Sequence, residues 1–244
     1  MMEYNFDGQR LIVGDCREVM KTLPSESFRL IITDPPYRIK SWKEFGANRN
    51  RTYGVPPPKY KDWLSEAHRL LAEDGNIFIF EHPRNEYPLE RAMRKAGFTV
   101  KTHLVWFVTC RHSHPAKGEY NNHWEPIMWG VKNSPSYFDT KPLAGLGSGK
   151  GGDVYAAPAV NWQMGPLVPG QKPLDLIKRQ IAVHSQVGDS VLDPFAGSCT
   201  SLRACRELER KGVGIEIDGG LATKALDYRD LKTANIADWV GRVE

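Results

Sequence analysis

Apolar residues gather in five short runs bounded by turn residues: Arg10 to Asp15, Leu30 to Asp34, Asn76 to Glu81, Ser190 to Asp193 and Gly212 to Glu216. Continuous β-branched and aromatic runs of this length predict strands covered on both faces, as in parallel sheets. Helical spacing lies between them. Trp63, Leu64, Ala67, Leu70 and Leu71 share one face and stop before Gly75; Leu89, Ala92, Met93 and Ala96 do the same before Gly97. Leu174, Ile177 and Ile181 follow Pro173, which suits a helix start. Strands alternating with helices predict an open α/β sheet with right-handed crossovers.

Every one of these runs closes on a carboxylate. Ligands of open α/β sheets bind outside the carboxyl ends of the strands, and here that edge carries Asp15, Asp34, Glu81, Asp193 and Glu216. A single such acid is an ordinary helix N-cap. Five together repel a pyrophosphate and suit a ligand with positive charge and hydroxyl donors. S-adenosylmethionine, with its sulfonium and ammonium groups, is such a ligand.

Composition narrows the class. With 244 residues, 41% hydrophobic and 25% charged, the chain fits one large domain, or one with a small appended lobe, able to bury a full core. No run approaches the roughly 18 apolar residues of a membrane span. Met1 to Asp7 has neither a basic start nor an apolar stretch, so no secretory signal and no membrane partner are expected, and the cytoplasm is the expected location. Cysteines 16, 110, 199 and 205 lack C-x-x-C spacing, which argues against a disulfide framework and for a reducing compartment. The net charge of +4 tolerates a polyanionic partner without demanding one.

Two turns carry chemistry. In Asp193-Pro194-Phe195-Ala196-Gly197-Ser198-Cys199-Thr200, small residues between a strand and a helical stretch let backbone approach a ligand. Glu216 closes the next strand, where an acid can grip ribose hydroxyls. In Asp34-Pro35-Pro36-Tyr37, two prolines fix the backbone and leave the Pro35 carbonyl free for a ligand, beside a carboxylate and an aromatic face. That set matches the methylation of an exocyclic amino group. Hydrogen bonds from its two N–H groups to Asp34 and the Pro35 carbonyl localise the nitrogen lone pair, while Tyr37 stacks on a base rotated out of the duplex.

These motifs resemble the amino-methylating DNA methyltransferases, adenine N6 or cytosine N4, of the β order, in which the catalytic motif precedes the cofactor motif. Asp34 to Tyr37 matches that family's D-P-P-Y, Lys172-Pro173 its K-P helix start, Asp193 to Thr200 its D-P-F-x-G-S-G-T, and Gly214-Ile215-Glu216 its G-I-E. His123-Trp124-Glu125-Pro126 resembles its H-E-P strand start with Trp124 inserted, and Gly14-Asp15 its acidic turn. The resemblance implies a doubly wound, mostly parallel sheet of about seven strands, with an edge hairpin near 98–108 and 124–131. It implies a catalytic half over 1–108, a target-recognition lobe over 109–168 and a cofactor half over 169–244. Asp34, Pro35, Pro36 and Tyr37 are then catalytic. Asp15 contacts the adenine edge of S-adenosyl-L-methionine and Glu216 its ribose. Asp193, Phe195, Gly197 and Ser198 line the methionine and sugar, with Lys172 nearby, and Cys16, Asp34 and Ile217 complete the cofactor contacts. The partner is double-stranded DNA, with a cognate restriction endonuclease and a homodimer left open.

One departure stands out. Cys199 replaces the family's second glycine. A right-handed turn there accepts a small side chain, whereas a positive φ penalises it and weakens the cofactor site. The first is the expectation. The resemblance implies adenine N6 over cytosine N4, since Ser in place of the opening Asp is commoner among the N4 enzymes of that family. A non-catalytic DNA-binding relative, or methylation of RNA or a protein glutamine, are the rival readings.

Residues 38–58 set Arg38, Lys40, Lys43, Arg49 and Arg51 against Glu44 alone, interleaved with Trp42, Phe45 and Tyr53. Cations and aromatics beside a base-flipping site suit phosphate contact and strand insertion. Within 109–168, Arg111, His112, His114, Lys117, Asn121, Asn122 and Gln163 are candidate base readers, Arg for guanine and Asn or Gln for adenine. Gly147 to Gly152 satisfies G-x-G-x-x-G but has neither the preceding strand nor the following helix. Cys110, His112, His114 and His123 are spaced poorly for one tetrahedral zinc, so no metal is expected.

Overall fold

The computed structural model describes residues 2–37, 58–109, 120, 122–143, 152–160 and 170–231. The strands are β1 (Met2–Phe6), β2 (Gln9–Val13), β3 (Phe28–Thr33), β4 (Leu71–Phe80), β5 (Thr99–Val108), β6 (Trp124–Val131), β7 (Val154–Ala157), β8 (Ser190–Asp193) and β9 (Lys211–Glu216). Helices α1 (Cys16–Thr22), α2 (Leu64–Leu70), α3 (Glu86–Lys95), α4 (Leu174–His184), α5 (Thr200–Glu207) and α6 (Gly219–Leu231) connect or follow them.

Among the described residues these strands form one sheet in the order β1-β2-β9-β8-β3-β4-β6-β5-β7. The run β2, β9, β8, β3, β4 is parallel throughout. β6 runs antiparallel to both β4 and β5, β7 is parallel to β5, and β1 is antiparallel to β2. The sheet is therefore mostly parallel, as expected, but has nine strands and not about seven. The expected edge hairpin is present as β5 and β6 yet is not at the edge, because β7 pairs outside β5. β6 and β7, from the stretch assigned to target recognition, are thus part of the main sheet.

Strand side chains alternate between two apolar layers. Ile31, Ile77, Ile79 and Leu192 pack with α1, α2 and α3 on one face, and Leu30, Ile32, Phe78, Phe80 and Val191 pack with α4 and α5 on the other. Burial on both faces explains why these segments read as unbroken apolar runs. The helix expected to reach nearly to Gly75 instead stops at Leu70, and Leu71 already begins β4. The register with β3 steps from Phe28–Leu71 to Leu30–Asn76, so the intervening β4 residues bulge outward. A Cβ on Gly75 at this bulge would stand 2.9 Å from the Ala72 carbonyl oxygen.

β8 and β3 are neighbours from which the chain proceeds in opposite directions, to β9 on one side and β4 on the other. Such a switch point opens a crevice at the strands' carboxyl ends. Asp193 and Asp34 stand there side by side, with Thr33 Oγ1 donating to Asp193 Oδ1 at 2.7 Å.

Candidate active site

The Asp34-Pro35-Pro36-Tyr37 turn leaves β3 directly. Asp34 keeps a third of its side chain in contact with solvent (33%). Its Oδ1 accepts from the Tyr37 hydroxyl at 2.7 Å, and its Oδ2 lies 2.8 Å from Lys172 Nζ. Burial pushes the Asp34 carboxyl above its ordinary value; Lys172 opposes this and Glu125 adds to it. The Tyr37 phenol is pushed well above its ordinary value by burial and then by Asp34 and Glu125, so it remains a donor.

Lys172 just precedes Pro173, the N-cap of α4. The family resemblance implies a place for Lys172 near the methionine and sugar, and its ammonium also reaches the Asp34–Tyr37 turn. Its ammonium reaches Asp34, Glu125 Oε2 at 3.1 Å and the Tyr37 hydroxyl at 3.2 Å. The rings of Phe80, Tyr37 and Trp106 stand 5.3, 5.5 and 5.8 Å away, within cation–π range. Glu125 lies near the start of β6, so a search for acids at strand ends does not find it.

Asp193 closes β8 and organises the second turn. Its Oδ1 accepts from Thr33 Oγ1 and the Phe195 N–H, and its Oδ2 from the Ser201 hydroxyl. Burial pushes its carboxyl up to about 6, against the pull of those bonds. The turn is pinned to β9, where the Ala196 N–H reaches the Ile215 carbonyl and the Gly197 N–H reaches Glu216 Oε2 at 2.8 Å. Glu216 Oε1 accepts from the Asp218 N–H, and burial raises its carboxyl. Ser198 Oγ lies 3.0 Å from Thr200 Oγ1.

Asp15 caps α1 and holds the Arg17 guanidinium with both oxygens, which lowers its carboxyl. The Gly14 N–H donates to the Glu216 carbonyl, so this acidic turn adjoins the end of β9. Cys16 is buried with its thiol pushed up to about 12, which keeps it protonated. Ile217 is 41% exposed beside Glu216. Glu81 serves structure: it accepts from the Tyr60 hydroxyl, the His82 N–H and Asn85 Nδ2, tying the end of β4 to its surroundings. Asn122 Oδ1 accepts weakly from the Trp124 N–H at 3.4 Å, just ahead of β6. Arg38, Lys40, Arg49, Arg51, Arg111 and His112 lie outside the described residues.

Cys199 requires a correction. The expected right-handed turn is absent: its φ is 58° and ψ 27°, left-handed, at the N-cap of α5. Gly197 is also left-handed, at φ 50°, and the tightened turn lets the Cys199 N–H reach the Ala196 carbonyl at 2.7 Å. A non-glycine residue in that region costs about 1–2 kcal/mol. The side chain is nonetheless buried in an apolar cluster with Leu11, Ala196, Leu202 and Ala222. Cys199→Gly therefore exchanges relief of strain for lost packing and should unfold within a few degrees of the wild type. Cys199→Val, β-branched at positive φ, should lose about 2 kcal/mol, or roughly 4–8 °C in thermal denaturation. A valine variant melting with the wild type would contradict the left-handed turn.

The Asp34 and Asp193 turns fall inside the stretch that a family model recognises: the DNA methylase model, for N6-adenine and N4-cytosine enzymes, matches residues 28–226. The chain belongs to the N6-adenine/N4-cytosine DNA methyltransferase family. It is 30% identical to the DNA adenine methyltransferase YhdJ of Escherichia coli, over 98% of this chain and 88% of that protein. It is 28% identical to the type II methyltransferase M.HpaI of Haemophilus parainfluenzae, over 86% and 70%. Among solved structures, M1.HpyAVI in complex with SAM superposes with a TM-score of 0.67 at 24% identity, over 91% of this chain and 98% of that one. The cytosine-N4-specific PvuII methyltransferase superposes with a TM-score of 0.74 at 15% identity, over 95% and 89%. These two likenesses establish the fold. As a member of the family, the chain is a DNA methyltransferase.

Proposed function

We infer that this methyltransferase transfers a methyl group from S-adenosyl-L-methionine to the N6 amino group of adenine in double-stranded DNA, on a base flipped out of the helix. The observation that carries the reading is the adjacency of Asp34 and Asp193 across the switch point, joined through Thr33. It puts an amino-orienting turn beside a carboxylate-lined turn in one crevice. The donor set fits the cofactor. Asp193 and Glu216 present anionic oxygens whose lone pairs exceed the internal bonds they accept, and the turn between them is pinned by its own backbone bonds. Such acceptors suit ammonium and hydroxyl groups and repel phosphate.

When bound, the cofactor supplies an electrophilic sulfonium methyl for in-line attack. Asp34 and the Pro35 carbonyl accept the two N–H groups of the target, keeping its lone pair on nitrogen, and Asp34 can take the proton that nitrogen sheds. Tyr37 offers its ring to the base while its hydroxyl stays on Asp34. Glu216 would hold the ribose hydroxyls, Asp193, Phe195, Gly197 and Ser198 would line the methionine and sugar with Lys172 nearby, and Asp15 would contact the adenine edge, with Cys16 and Ile217 completing the cofactor contacts. Adenine as target is supported by the Asp that opens the tetrapeptide and by the activity in the name of the Escherichia coli relative. The reading places the protein in the cytoplasm and allows a cognate restriction endonuclease and a second copy of the chain as partners.

The test uses unmodified DNA and cofactor labelled in its methyl group, with product nucleosides identified by mass spectrometry. Label in N6-methyladenine is expected. Label in N4-methylcytosine would keep the chemistry and move the target; label in RNA or protein alone would overturn the reading.

A further inference from the structure

The carboxylate that must receive the target's amino group already holds a buried cation. Lys172 has 8% of its side chain exposed and sits between Asp34 at 2.8 Å and Glu125 at 3.1 Å, under three aromatic faces. Removing an ammonium from water is costly unless its partners are well placed. Two acids from different strands meet that cost here. Asp34 follows β3; Glu125 lies in β6, opposite Trp106 of β5. Trp106 also supplies one of the aromatic faces over the ammonium.

We propose that Lys172 and Glu125 act as a positioning pair for Asp34: Lys172 holds the carboxylate ionised and aimed for the target's amino group, and Glu125 holds Lys172 in place. The pair rests on the methyl-transfer reading of the same site. Each partner has a separate part. Lys172 fixes Asp34 Oδ2 while the Tyr37 hydroxyl fixes Oδ1, so the carboxylate is locked at both oxygens. The lone pairs still available on those oxygens are what an incoming N–H uses. Glu125 anchors the ammonium at 3.1 Å, accepts weakly from the Tyr37 hydroxyl at 3.4 Å, and leaves the three-residue cluster with a net negative charge. That charge opposes full neutralisation of Asp34 by Lys172 and favours the positive charge that develops on the attacked base.

The two partners act on Asp34 with opposite sign: Lys172 lowers its carboxyl and Glu125 raises it. Among the described residues, the other titratable groups around Asp34 are Tyr37 on its own turn, Glu81 and His82 after β4, and Asp193 at the end of β8. All stay in place in variants of the pair.

The experiment follows the carbon-13 carboxyl signal of Asp34, assigned with Asp34→Asn, through a pH titration of the ligand-free protein. Lys172→Met should move the midpoint up and Glu125→Gln should move it down. The double variant, which buries no charge from the pair and so folds most readily, should return it towards the wild type. Lys172→Arg should keep it near the wild type. In parallel, the acid limb of the methylation rate profile should move in the same two directions, with turnover falling on the order of 10²-fold in Lys172→Met. Midpoints that stay fixed, or that move the same way in both single variants, would overturn the pair. A wild type that shows the expected midpoints yet methylates no DNA would overturn the functional reading and leave the pair standing.

Discussion

Asp34→Asn lowers single-turnover methylation by about 10³-fold or more, a loss of roughly 4 kcal/mol of transition-state stabilisation, while cofactor affinity measured by calorimetry changes only a few-fold. Asparagine matches aspartate in size, so the Pro35-Pro36 backbone and the place of Tyr37 are retained. It loses the negative charge, and one of its two heteroatoms becomes a donor. That N–H₂ group would face either Lys172 or the Tyr37 hydroxyl, both of which now donate to the carboxylate or lie against it. A donor there cannot accept from the target's amino group either. The fold tolerates the change because Lys172 keeps Glu125 as its counter-ion at 3.1 Å. The cofactor turn tolerates it because Asp193 is satisfied by Thr33, Phe195 and Ser201 and not by Asp34. Turnover within tenfold of the wild type would remove Asp34 from the reaction. An equal collapse of cofactor affinity would place it with the cofactor instead.

The strands that build the crevice could be read from the sequence because they are buried on both faces, and burial on both faces leaves an unbroken apolar signature. β1 and β7 left none. β1 is an edge strand with mostly exposed or half-exposed side chains, followed by the Asp7-Gly8 turn, whose residues take φ of 44° and 76°. An Asp-Gly pair is a strong hairpin signal when flanked by strands, and Met2, Tyr4 and Phe6 do alternate with polar Glu3 and Asn5, so this hairpin is written in period-two alternation and not in an unbroken apolar run. β7 has four residues, largely exposed, and gains its place only by pairing with β5. Glu125 was hidden for a different reason: its role depends on the antiparallel register that slots β6 between β4 and β5, and no local spacing encodes that. Lys172 was read as a neighbour of the cofactor turn because it precedes that turn in the chain. α4 begins at the catalytic edge and runs away from it before β8 returns, so the lysine remains with Asp34. For Cys199 the sequence supplied the question, a missing glycine, and only the backbone supplied the answer.

Trp63→Ala should be the most damaging single change to the core, at about 3–5 kcal/mol of unfolding free energy. Trp63 is 1% exposed at the start of α2 and packs in the layer that holds Ile12, Ile31 and Leu192. Its ring meets Phe195 edge to face at 5.3 Å and 79°, so the indole is the floor beneath the turn that carries Asp193 and Gly197. Removing it leaves a void into which Phe195 can sink, and the turn loses the support that fixes its backbone donors. Cofactor affinity should then fall roughly tenfold, a cost of about 1.4 kcal/mol. Trp63→Phe separates packing from polarity. Among the described residues the buried indole N–H of Trp63 has no hydrogen-bond partner, and burying such a group costs about 1–3 kcal/mol. Phenylalanine removes that penalty while giving up part of the ring volume, so its net cost should be about 1 kcal/mol or less and its cofactor affinity close to the wild type. Denaturant unfolding and calorimetry on the two variants decide the matter. If Trp63→Phe were as destabilised as Trp63→Ala, the shape of the indole and not its volume would be holding the turn. If Trp63→Ala bound cofactor like the wild type, Phe195 would not need its floor.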